Sequence, residues 1–161
     1  MILISLAGPS VSVPGYLLLT PSVDFIISDS QTAKVGEGGS ASIFAGKMRN
    51  VRRVLENGIV DIAVKVNSSD CDVSSFYYEL ALMSSLPKSP FVVKLMGYSE
   101  TPIRAIVMKL YDGSLAKFLH SDDASTVKPE LALKFARDIA QGLQVIHKSS
   151  IVHLDLKPGK P

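Results

Sequence analysis

Two oppositely charged residues near the end of the sequence have a spacing that suits phosphoryl transfer. Asp155 and Lys157 lie two positions apart in the segment 153–158, which reads HLDLKP. Phosphoryl transfer depends mainly on the positioning of the reacting groups and on the neutralisation of their charge. A carboxylate and an ammonium group held this close together are therefore candidate catalytic groups.

A glycine-rich segment could bring backbone amides close to phosphate oxygens. Residues 36 to 43 read GEGGSASI, and strand-like segments flank them. Glycine lets backbone N–H groups approach a phosphate because no side chain stands in the way. The segment does not fit a Rossmann fingerprint, since a strand follows it, and no Gly-Lys-Ser/Thr completes a P-loop. A flexible hairpin turn is the simpler alternative for this pattern on its own.

A third candidate feature is a lysine in a β-branched segment. Residues 62 to 65 read IAVK. The two-residue period of a strand places Ala63 and Lys65 on one face, with Ile62, Val64 and Val66 on the other. A small residue beside a base and an ammonium group beside phosphates would suit a nucleotide. A strand with a lysine at the sheet edge is the alternative.

A carboxylate is predicted on the buried face of a helix. Phe76, Leu80 and Met83 repeat at helical spacing, and Glu79 shares their face. A carboxylate among core side chains is costly unless it is paired, and Lys65 is the natural partner. Alternatively, Glu79 lies in water at the edge of the apolar stripe.

The elements that would position these residues predict an α+β fold. A sheet of five strands, with one helix after the third, precedes further helices. The helix begins at Asp70 or Asp72 and ends near Leu86, before Pro87. A short helix follows Gly113-Ser114, and a long amphipathic helix runs from Pro129 to about Lys148. The five strands are 33–35, 43–45, 59–66, 91–96 and 103–110, and 25–27 is a further short strand-like segment.

In this order the four motifs resemble those of the eukaryotic protein kinase domain. The resemblance covers about Ala33 to Gly159 and is closest to serine/threonine kinases of the tyrosine-kinase-like group. It implies an N-lobe, a five-stranded antiparallel sheet plus one helix, over about 24–110. The start of a C-lobe would occupy about 111–161. Residues 1–23 would be a poorly ordered extension.

The resemblance implies a site for ATP and Mg²⁺ and a protein substrate. Asp155 would accept or orient the proton of the substrate hydroxyl, and Lys157 would contact the transferring phosphoryl group. Met108 would gate the pocket behind adenine. The residues that the resemblance assigns to ATP are Val35, Gly36, Glu37, Gly38, Gly39, Ser40, Ala41, Ser42, Ile43, Ala63, Lys65, Glu79 and Met108.

The sequence departs from the kinase pattern at three positions. Ala41 replaces the third glycine, and Leu154 replaces the arginine that normally pairs with a phosphorylated activation loop. Lys160 stands where an asparagine would hold magnesium, and an ammonium group repels that ion. The sequence ends at Pro161, and no metal ligand is assigned in it. We therefore expect a C-terminally truncated kinase domain that binds Mg-ATP weakly and transfers no phosphate. The alternative is a non-catalytic kinase-like module that binds nucleotide or a partner protein.

Composition narrows the remaining function classes. The 161 residues carry 17 basic and 15 acidic side chains, a net charge of +2 that gives no reason to expect nucleic acid. One cysteine excludes a disulfide within the chain and a multi-cysteine zinc site. A hydrophobic fraction of 47% suggests an apolar seam that packs on something else.

The first 23 residues contain no charged side chain, which raises the question of a membrane segment. Pro9, Pro14 and Pro21 interrupt every apolar run, and no basic residue precedes the first one. We therefore expect a cytoplasmic protein whose first 23 residues are a loosely ordered extension. A membrane or secretory N-terminus is the alternative.

Overall fold

A computed structural model describes residues 3–5, 13–28, 33–38, 41–49, 58–121 and 128–159. Its contacts divide the chain into two compact units. The sheet unit comprises Ser12–Ser84 and Lys94–Leu110, and the helical unit comprises Met1–Val11, Ser85–Val93 and Tyr111–Pro161. The predicted division was a single boundary near residue 110. Residues 85–93 fall on the other side because Phe91 packs closely against a helix of the helical unit.

Six strands form the antiparallel sheet of the sheet unit. They are β2 (Phe25–Ile27), β3 (Lys34–Gly38), β4 (Ala41–Arg49), β5 (Ile59–Asn67), β6 (Leu95–Ser99) and β7 (Ala105–Lys109). In the order β2-β4-β5-β7-β6, neighbouring strands are hydrogen-bonded, and β3 pairs with β4. The α+β fold class is confirmed, and the sheet has one strand more than the five predicted, because the segment 25–27 joins it as β2. The predicted strand at 91–96 begins four residues late, because residues 90–92 form a turn.

The core of the sheet unit lies on one face of the sheet. Ile62 and Val64 are fully buried there, and Val66 packs against the same cluster. The predicted alternation along β5 is therefore confirmed. The other buried members of this cluster are Phe25, Met48, Ala105 and Val107.

Helix α1 (Val73–Ser85) packs in the sheet unit through the predicted stripe. Phe76 and Leu80 are fully buried, and Met83 is 5% exposed. The helix begins after Asp72, whose carboxylate accepts bonds from Ser74 and from the backbone N–H of Ser75. The bond from Ser75 satisfies an amide of the first turn, and the bonds from Ser74 and Ser75 together lower the pKa of Asp72.

The described part of residues 13–23 lies against the sheet, where we predicted loose chain. A 3₁₀ turn at Gly15–Leu17 precedes Leu19, whose N–H donates to the Tyr98 carbonyl at 2.7 Å. Gly97 allows this contact, because a Cβ there would lie 2.4 Å from Leu19 Cδ1. Leu19 also packs against the core cluster, and apolar burial holds the segment in place.

The helical unit contains α2 (Leu115–Leu119) and α3 (Pro129–Lys148). Both helices are confirmed at the predicted positions, and the Ser114 hydroxyl caps α2 by accepting the Lys117 N–H. The rings of Phe118 and Phe135 join the two helices edge to face, 5.6 Å apart. A short antiparallel pair completes the unit, formed by β1 (Leu3–Ser5) and β8 (Ile151–His153).

Several large apolar side chains of the helical unit are exposed. They are Phe91, Leu119, Leu133, Ile139, Leu154 and Leu156, and Leu133 is 70% exposed. The high hydrophobic fraction is therefore accounted for partly by surface residues. Among the helices in the described ranges, none has the length and apolar character to cross a membrane.

Candidate functional site

Lys65 and Glu79 form an ion pair inside the sheet unit. Lys65 Nζ lies 2.7 Å from Glu79 Oε1 and 2.5 Å from Oε2. The two side chains are only 14% and 15% exposed, so water screens this attraction weakly. The predicted pairing of the two residues is confirmed. Their role toward ATP stays a prediction.

The register of the sheet gives Lys65 its neighbours. Ile43 on β4 and Ile106 on β7 lie directly opposite Lys65. Residues opposite one another on adjacent strands project to the same face. Two positions along, Ala63 lies opposite Met108 by the same rule. Ile43, Ala63, Lys65 and Met108 therefore share the face that carries the ion pair, opposite the Ile62 cluster.

The glycine-rich segment forms a hairpin between β3 and β4. Gly36 pairs with Ile43, Glu37 with Ser42, and Gly38 with Ala41. A Cβ at Gly36 would lie 3.5 Å from the Ile43 side chain, an ordinary contact distance. Steric crowding inside the hairpin therefore does not require glycine at position 36. Val35 at the start of the hairpin is 53% exposed, while Gly39 and Ser40 lie outside the described residues.

Asp155 and Lys157 lie together in the helical unit. Lys157 Nζ is 3.1 Å from Asp155 Oδ1, and the lysine side chain is 59% exposed. The Asp155 N–H donates to His153 Nδ1 at 3.2 Å, so this nitrogen carries no proton in this arrangement. The Ala116 N–H donates to the Pro158 carbonyl at 2.8 Å and fastens the segment to the start of α2. His153 thus makes a structural contact with the backbone of Asp155.

Leu154 is 57% exposed beside this aspartate. An apolar side chain cannot pair with a phosphate group, so the loss of control by a phosphorylated activation loop stays a prediction.

The described side chains give magnesium no ready site. Among them, no group of three or more His, Cys, Asp or Glu residues is placed to hold a metal ion. Magnesium therefore stays an expectation that the kinase resemblance implies.

Sequence reasoning missed the polar contacts that hold α1. The Tyr77 hydroxyl donates to Glu100 Oε1 at 2.9 Å, across 23 residues. Arg104 Nη2 donates to the carbonyls of Ser69 and Cys71 at 3.2 and 3.4 Å. No local pattern marks these partners, because exposed polar residues at such separations are common in any sequence.

Comparison with known proteins places the chain in a family. A family model described as "protein tyrosine and serine/threonine kinase" matches residues 30–158, most of the chain. The chain therefore belongs to the protein kinase family.

Individual relatives agree with this family. Rust resistance kinase Lr10 of Triticum aestivum is 33% identical over 135 residues, covering 78% of this chain and 20% of that protein. A probable LRR receptor-like serine/threonine-protein kinase of Arabidopsis thaliana is 31% identical over 160 residues, covering 91% and 16%. A probable serine/threonine-protein kinase of Dictyostelium discoideum is 30% identical over 135 residues, covering 77% and 9%. The chain spans a fifth or less of the length of these relatives.

Proposed function

We propose that this chain binds ATP through its sheet unit and supplies catalytic groups of a serine/threonine protein kinase. The Lys65–Glu79 ion pair is the observation that carries the proposal. In protein kinases this lysine contacts the phosphates, and the glutamate holds it for them. The glycine hairpin offers backbone N–H groups to the same phosphates. Ala63 leaves room for the base, and Met108 gates the pocket behind it.

We propose that the ion pair of Asp155 and Lys157 takes part in the phosphoryl transfer step. Asp155 accepts or orients the proton of a serine or threonine hydroxyl, and Lys157 neutralises charge on the phosphoryl group. The 3.1 Å contact between the two side chains supports their acting together. Two relatives bear serine/threonine-protein kinase in their names, which favours serine and threonine over tyrosine.

Equilibrium binding tests the ATP proposal. Lys65→Met should weaken ATP binding by about ten- to hundredfold, the range expected when a charged hydrogen bond is lost. Lys47→Met is the matched control, because Lys47 forms an exposed ion pair with Asp61 at 3.0 Å. Lys65→Arg keeps the charge and should bind with intermediate affinity. If circular dichroism shows that wild type and Lys65→Met are both folded, equal affinities of the two for ATP would refute the proposal.

Phosphate transfer is tested on the protein as its host makes it, isolated with an antibody against this chain. If the host protein contains a complete kinase domain, radiolabelled ATP and a degenerate peptide library should yield phosphoserine and phosphothreonine. The Asp155→Asn variant, expressed in the same way, should lose this activity. Phosphotyrosine as the sole product would contradict the specificity.

A non-catalytic kinase-like module is the second candidate, and the lysine at position 160 favours it. An ammonium group at a magnesium position opposes the metal that transfer requires. Tight ATP binding with no Asp155-dependent transfer in the host protein would select this alternative.

A further inference from the structure

Residues of the connection between β6 and β7 form hydrogen bonds with helix α1 and with the loop before it. We call residues 100–104 the β6–β7 turn. Glu100 at its start accepts the Tyr77 hydroxyl at 2.9 Å, and Tyr77 lies on α1. A hydrogen bond to a charged acceptor is stronger than one between neutral groups. The Glu100 side chain therefore links the turn to the helix.

The other end of the turn is hydrogen-bonded to the loop that leads into α1. Arg104 Nη2 donates to the carbonyls of Ser69 and Cys71, at 3.2 and 3.4 Å. The Arg104 carbonyl also accepts the Asn67 N–H at 2.9 Å, which joins the turn to the end of β5. Both ends of the turn thus contact the chain between Lys65 and Glu79.

Tyr77 and Glu79 lie on different sides of α1. Successive helical residues are about 100° apart, so side chains two positions apart differ by about 200°. Tyr77 is 39% exposed, whereas the Glu79 side chain is 15% exposed and faces Lys65. A rotation of α1 that withdraws Glu79 would also move Tyr77 relative to Glu100. The Tyr77–Glu100 hydrogen bond therefore resists a rotation of α1 that would separate Glu79 from Lys65.

We propose that Tyr77, Glu100 and Arg104 are positioning residues that keep Glu79 in contact with Lys65. Their value for ATP binding rests on the proposed function, while their effect on the ion pair does not. If this is so, loss of the Tyr77–Glu100 hydrogen bond raises the fraction of molecules in which Lys65 is separated from Glu79.

The acylation rate of Lys65 measures that fraction. An amine-reactive ester modifies the lysine when Glu79 has released it, and peptide mass spectrometry follows the product. Tyr77→Phe removes only the hydroxyl, and Lys65 acylation should accelerate by about two- to tenfold, the range for one lost hydrogen bond. Glu100→Leu removes the same bond from the other side and serves if the first variant folds poorly.

Two further variants separate positioning from a general loss of stability. Glu100→Gln keeps a neutral acceptor oxygen for Tyr77 and should give a rate between those of wild type and Tyr77→Phe. Asp61→Asn breaks the exposed ion pair with Lys47 and should leave the Lys65 rate unchanged. An unchanged Lys65 rate in both Tyr77→Phe and Glu100→Leu would overturn the proposal.

ATP binding by the wild-type chain keeps the two proposals apart. Faster acylation in Tyr77→Phe with no ATP binding by the wild type would refute the nucleotide function and support the positioning role. Normal ATP binding with identical Lys65 rates in all variants would refute the positioning role alone.

Discussion

Lys65 and Glu79 meet through two contacts, of 2.7 and 2.5 Å, between a central strand and the helix that packs near it. Both residues are largely buried, and they are 14 positions apart in the chain. A charge removed from water in this way is stable only with its partner. The pair therefore couples the position of α1 to the position of the lysine.

Replacement of Glu79 by glutamine should destabilise the chain. Glutamine keeps an acceptor oxygen but leaves the Lys65 ammonium without a counter-charge in a poorly hydrated place. We expect the free energy of unfolding to fall by about 1–3 kcal/mol, measured by urea denaturation. Asp61→Asn is the control at an exposed ion pair, where the change should be small. The same loss in both variants would argue against this view of the pair.

Gly97→Ala should detach residues 17–19 from the sheet. The new Cβ would lie 2.4 Å from Leu19 Cδ1 and 2.7 Å from the Leu17 carbonyl oxygen. The leucine side chain can turn away, but the carbonyl belongs to the backbone and must shift. We expect a loss of about 1–3 kcal/mol and faster hydrogen exchange at the Leu19 amide. Gly15→Ala, with no atom within 4 Å of its Cβ, is the control. Unchanged exchange at Leu19 would show that the contact is weaker than the geometry indicates.

Gly142→Ala sets two effects against each other in α3. Alanine favours the helix by about 1 kcal/mol, but its Cβ would lie 2.7 Å from the Phe91 carbonyl oxygen. Because that oxygen is backbone, we expect the clash to win and the midpoint of thermal unfolding to fall. Gly159→Ala meets nothing within 4 Å and should not lower it. A stabilised Gly142→Ala chain would mean that residues 85–93 move aside easily.

Stability should depend on Tyr77 at alkaline pH. The hydrogen bond to Glu100 is the main cause that raises the pKa of Tyr77 above its ordinary value of 10.0, and burial is the next. The charge of Tyr98 also raises this pKa, and the charge of Arg104 lowers it. The protonated hydroxyl donates the bond, so its stabilisation is present below the ordinary pKa and is lost as the pH rises through the raised one. Wild type should be more stable than Tyr77→Phe near about pH 8 and should lose this advantage above about pH 10. A difference that persists at alkaline pH would contradict a hydroxyl donor.

Much of the sheet unit follows from periodicity. The stripe Phe76, Leu80 and Met83 and the alternation along β5 both predict the buried side chains, because apolar spacing reflects which face meets the core. The pairing of Glu79 with Lys65 follows from the cost of burying a lone carboxylate.

Other features depend on residues that are distant in the chain. Gly97 is required because Leu19 packs over it, and nothing around position 97 indicates that neighbour. The link from Tyr77 to Glu100 is equally hidden, since many surface acceptors could serve one hydroxyl. Residues 25–27 look strand-like in the sequence, but three residues do not show which sheet they join. Their pairing with Met48 and Gly46 makes them the sixth strand.

The most direct test of the central claim is protection of Lys65 by ATP. At an ATP concentration about ten times Kd, mass action predicts that Lys65 acylation slows about tenfold. Lys47 and Lys134, which form exposed ion pairs elsewhere, should react at unchanged rates. Equal Lys65 rates with and without saturating ATP would contradict the assignment of this ion pair to the nucleotide phosphates.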